Sequence, residues 1–83
     1  GAGGVSKKEG LTEFDQEIAD LNRAMAANSE LTMCLIDPSK AGVAGNFKTL
    51  GFNEIDEIVT ASIGREIVER EISGKVKVLT PPI

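Results

Sequence analysis

The sequence predicts an α+β domain whose elements run helix, strand, helix, strand. Two long helices and two short strands form a small single domain with an apolar face left for another chain. Three observations carry that expectation. Leu11, Phe14, Ile18, Leu21 and Met25 recur at steps of three and four, the spacing of one helical face. Residues 31–36 form a short, largely apolar run cut off by Asp37-Pro38, which suits a buried strand. Ile55, Ile58, Val59 and Ile63 line one side of a second helical pattern, while Val68 and Ile72 fall on another side.

The elements follow in order. Residues 1–10 hold four glycines and only one apolar side chain larger than Ala, Val5. Such a stretch buries too little to offset its ordering entropy and reads as a flexible N-terminal tail, leaving residues 11–83 as the single domain. Thr12 is placed to cap the first helix, with Glu13 and Asp15 favoured by the positive end of the helix dipole. Alanines at 24, 26 and 27 sustain it as far as Asn28-Ser29. Leu35 and Ile36 sit in the one run expected to be buried on both faces. The glycine-rich stretch after Pro38 reads as a loop. Asn53 is placed to cap the second helix, and Arg65–Glu69 and Glu66–Arg70 are i,i+4 pairs along its surface. Ser73-Gly74 ends it. Alternating Lys75, Val76, Lys77 and Val78 then suggest a half-exposed edge strand, closed by Pro81-Pro82.

Composition narrows the function. The chain has 83 residues, a net charge of −4, no His, Trp or Tyr, and a single cysteine, Cys34. One Cys excludes an intrachain disulfide framework and a multi-cysteine zinc site, and without His there is no imidazole catalysis or ligation. No cofactor or metal is expected, and an enzyme is less favoured than a binding domain. No apolar run approaches the ~20 residues of a membrane helix. The acidic balance makes nucleic acid an unfavoured partner. A lone reduced cysteine and the lack of a secretory-type apolar stretch in the tail favour the cytoplasm.

Cys34, inside an apolar run, reads as a small buried hydrophobe rather than a reactive thiol. Gly42-Val43-Ala44-Gly45 matches the G-x-x-G spacing by which KH domains clamp a nucleic-acid strand, but Val and Ala stand where a polar or basic residue belongs, and an ordinary turn explains it.

The leading expectation is therefore a non-enzymatic protein–protein interaction module, a regulator, adaptor or assembly subunit that binds itself or another protein. Met25, Ile67, Val68 and Ile72 are its interface candidates, because the second helix carries apolar residues on two sides. The alternative is a small-anion or nucleotide-binding domain using residues 37–48. Asp37, Ser39, Lys40, Gly42 and Gly45 follow a buried strand there, where backbone amides and one lysine are suited to an anion. An Asx turn at Asp37 accounts for the same residues without a ligand.

Overall fold

The computed structural model describes residues 2–82. Its elements are β1 (Gly4–Ser6), β2 (Gly10–Glu13), α1 (Gln16–Ala27), β3 (Met33–Leu35), β4 (Phe47–Leu50), β5 (Glu57–Val59), α2 (Arg65–Glu69) and β6 (Lys77–Leu79). The domain is α+β, but with six strands in two sheets rather than two long helices and two short strands. An antiparallel sheet has the order β1-β2-β4 and a parallel sheet the order β3-β5-β6. Three 3-10 turns, at Pro38–Lys40, Phe52–Glu54 and Ser62–Gly64, link the strands.

The expected loose tail contains a strand instead. Ser6 pairs with Gly10 across a three-residue turn, and Gly10 takes the left-handed conformation (φ 75°) that such a turn requires. Val5 is fully buried and its carbonyl accepts the Gly42 N–H at 2.8 Å. One large apolar side chain anchors this segment because β2 lies beside it and the 37–46 loop lies over it. Counting apolar residues along the chain does not register those contacts.

The first helix starts later than its spacing suggests. Thr12 and Glu13 belong to β2, and Asp15 is the cap, its Oδ1 accepting from Glu17 N at 2.8 Å and Ile18 N at 3.2 Å. Leu11 enters the core from β2. The helix then buries Ala19, with Asn22 and Ala26 half-buried, and leaves Ile18, Leu21 and Met25 exposed, as is Phe14 just before it. The small side of α1 packs against β2 and β4, and the large apolar stripe faces outward.

The second long helix does not form. Its span holds the Phe52–Glu54 turn, β5, the Ser62–Gly64 turn and the five-residue α2. The β-branched run Ile58-Val59-Thr60 favours a pleated strand. Ile58 supplies the burial, with no exposed surface between β3 and β6. Ile63, expected on a packed stripe, is 96% exposed.

β3 and β6 are both parallel to β5 and flank it. β3 is not buried on both faces: Leu35 is 63% exposed and Met33 is exposed, while Cys34 is half-buried and the following Ile36 is buried. One edge of β3 is unpaired, and its outer side is uncovered. The core joins both sheets through Val5, Leu11, Ile36, Leu50, Ile55, Ile58 and Val68.

Candidate functional site

Parallel strands deliver their connecting loops to a common end. The registers Leu35↔Val59 and Val59↔Leu79 bring residues 36–40, 60–62 and 80 together at the carboxyl ends of β3, β5 and β6. Open α/β sheets place ligands outside such ends. Ile36 N donates to Val59 O at 2.9 Å and Thr60 N to Leu79 O at 3.0 Å, so the ladder continues to the point where the loops diverge.

The first loop is a rigid turn. Asp37 Oδ1 accepts from Ser39 N at 2.9 Å, Lys40 N donates to Asp37 O at 2.9 Å, and Ala41 N donates to Pro38 O at 3.1 Å. The bonds from Ser39 hold the Asp37 carboxyl below its ordinary value. Farther along, Val43 N donates to Lys40 O at 3.2 Å and Gly45 N to the Thr12 hydroxyl at 2.7 Å. With Gly42 N on Val5 O, the amides of residues 39–43 and 45 are committed within the protein. A cradle of free amides, one form the anion-loop expectation took, is therefore not available. The turn instead presents the Ser39 hydroxyl and the Lys40 ammonium, both residues being exposed. Gly42 is exposed beyond them, and Gly45 is half-buried against β2.

Across from this turn, Thr60 is buried and its hydroxyl is the one buried side-chain polar atom without a hydrogen-bond partner among the described residues. Sequence reading missed it because Thr60 stood inside an expected helix.

The four interface candidates separate. Val68 is fully buried in the core and Ile72 packs half-buried against it. A strand and a short turn replace the long helix, so α2 is free to turn Val68 inward. Ile67 and Met25 are exposed. Met25 joins Leu31, Met33, Cys34 and Leu35 around a groove of about 230 Å³ between α1 and β3. Burial raises the Cys34 thiol above its ordinary value, the reverse of what activates a cysteine. Among the described residues no group of three or more His, Cys, Asp or Glu is arranged to hold a metal ion, and no helix is long and apolar enough to cross a membrane.

The family model of the DeoR C terminal sensor domain matches residues 1–62. The chain belongs to the DeoR C-terminal sensor domain family. The matched stretch takes in β1 to β5 and the Pro38–Lys40 turn, and ends before α2 and β6. No curated protein and no solved structure matches the chain. Membership in the DeoR sensor family favours ligand binding over the expected protein–protein interaction module.

Proposed function

We propose that this DeoR sensor domain binds a phosphorylated small molecule, a sugar phosphate by class, at the carboxyl ends of β3, β5 and β6. The observation that carries the reading is the Pro38–Lys40 turn. It is closed by the Asp37 carboxylate and holds an ammonium outward at the end of a parallel strand. Lys40 supplies the charge for a phosphate, and the Ser39 hydroxyl beside it is engaged with the Asp37 carboxylate. A sensor of a phosphorylated metabolite works in the cytoplasm, and in this reading the ligand, not a partner chain, is what the domain recognises first.

The test is thermal unfolding of the chain with a panel of pentose and hexose phosphates beside their parent sugars. A ligand at one hundred times its Kd adds about 2.7 kcal/mol, a rise of several degrees for a domain this small. The rise is expected for a phosphate and not for its parent sugar, and Lys40→Gln removes it without changing the melting of the ligand-free protein. Equal responses to sugar and sugar phosphate, or an undiminished response in Lys40→Gln, would exclude this site.

A second reading rests on the exposed apolar side of α1. Ile18, Leu21 and Met25 are exposed along α1, with Phe14 exposed just before it, and Met25 shares a groove with Met33 and Leu35 of β3. Exposed apolar surface of this extent marks association sites, so contact with another chain accompanies sensing in this reading. Sedimentation across a concentration series tests whether that chain is a second copy.

A further inference from the structure

The opposite end of the parallel sheet carries a different chemistry. A cleft of about 730 Å³ lies where the chain enters β5 and β6, a size in the range of small-molecule sites. Lys7, Lys8, Lys48 and Lys75 all line it. They come from the β1–β2 turn, from β4 and from the segment leading into β6, so only the fold brings them together. Four of the nine basic residues thus share one concavity in a chain whose net charge is −4.

Glu9 and Asp56 line the cleft with the lysines, and the Glu71 and Glu54 carboxylates stand at its rim on Lys7 N and Gly51 N, so what sets the lysines apart is their convergence and not a surplus of charge. Asp56 is already engaged, its Oδ2 accepting from Thr32 N at 2.8 Å. The one ion pair among the described residues joins Arg65 to Glu69, so none of the four lysines is paired. Like charges gathered in a concave surface focus a positive potential, and an anion there relieves their repulsion. The hairpin that supplies two of the lysines is tethered, because the Lys7 N–H donates to Glu71 Oε1 at 3.2 Å.

From this placement we infer a second anion site, separate from the Lys40 turn, for a small molecule bearing two or more phosphate groups. Several ammonium groups around one cleft match a polyphosphate chain better than a single phosphate, since each added charge meets its own lysine. The strands are three residues long, so the two sites stand about 10 Å or more apart at opposite ends of the sheet. The acidic remainder of the surface repels a nucleic-acid duplex and favours a compact ligand.

Titration of the 83-residue chain with tripolyphosphate at low salt, followed through its backbone amide NMR signals, tests the site. Shifts are expected at Gly10, Gly51, Asn53, Gly74 and Lys75, and affinity should fall as NaCl is raised. The Lys48→Gln/Lys75→Gln double variant alters two exposed side chains and should keep its remaining amide spectrum. Its affinity is expected to drop roughly tenfold or more, and orthophosphate should bind the wild type at least tenfold more weakly than tripolyphosphate. Lys40→Gln should leave tripolyphosphate binding unchanged, which separates this site from the sugar-phosphate reading. Shifts centred elsewhere, an unaffected double variant, or equal affinity for orthophosphate would overturn the inference. Tighter binding of duplex DNA than of tripolyphosphate at the same salt would also overturn it and assign the cleft to a nucleic-acid backbone.

Discussion

Gly64 lies against the ring of Pro38 so closely that a Cβ on Gly64 would occupy the space of the proline's Cβ and Cγ. The contact seats the Ser62–Gly64 turn on the Pro38–Lys40 turn, joining the loops that leave β5 and β3. Gly64 has φ −113°, a conformation open to any residue, so it is the close approach and not the backbone angle that calls for glycine there.

Gly64→Ala should therefore destabilise by overpacking, by about 1–3 kcal/mol. Urea unfolding measures the loss. Pro38→Gly removes both clashing carbons and should cost less in the Gly64→Ala background than in the wild type, since the two positions share one contact and their effects are not additive. Additive losses would show that the clash is relieved elsewhere.

Val5 sets the standing of the first strand. Its side chain is fully buried, so Val5→Ala should cost roughly 2 kcal/mol or more. Removal of residues 1–6 should abolish cooperative unfolding, because β2 then loses a strand partner and the core loses a member. Circular dichroism melts of both variants check this.

Leu21 stands for the outward stripe of α1. It is exposed, so Leu21→Lys should change stability by no more than about 0.5 kcal/mol while lowering the binding of a hydrophobic dye and any concentration-dependent sedimentation. A large loss of stability would place the stripe in the core of the isolated chain.

Asp37 gives a pH signature. Its folded carboxyl is held below its ordinary value by the bonds from Ser39. A depressed carboxyl contributes stability that is fully present above the unfolded value, about 3.9, and is lost as pH falls through the lower folded value. Asp37→Ala should melt below wild type at neutral pH, and the difference should shrink once the pH drops below that range. A difference that persisted in acid would trace to the side chain's packing rather than its charge.

Local chemistry was legible in the sequence wherever neighbours along the chain decided the outcome. The Asx turn at Asp37 formed as its residues specify, because the bonds that close it span two and three positions. Strands at residues 33–35 and 77–79 lie within the runs that suggested them, and β6 stands at an edge as its lysines imply.

Tertiary structure decided what depended on distant partners. The spacing of Ile18, Leu21 and Met25 establishes that these residues share a helical face, but not which side of the helix finds a neighbour. That choice went to Ala19, Asn22 and Ala26, whose small profile lets α1 approach the sheet. Ile58 and Val59 suit a helix or a strand by spacing alone, and the pairing of β5 with both β3 and β6 resolved them as strand. Val5 looked too isolated to hold a tail until β2 and the carboxyl-end loop surrounded it. Burial is a property of the assembled surface, and a lone apolar residue in a glycine-rich segment acquires it only when segments remote in sequence close around it.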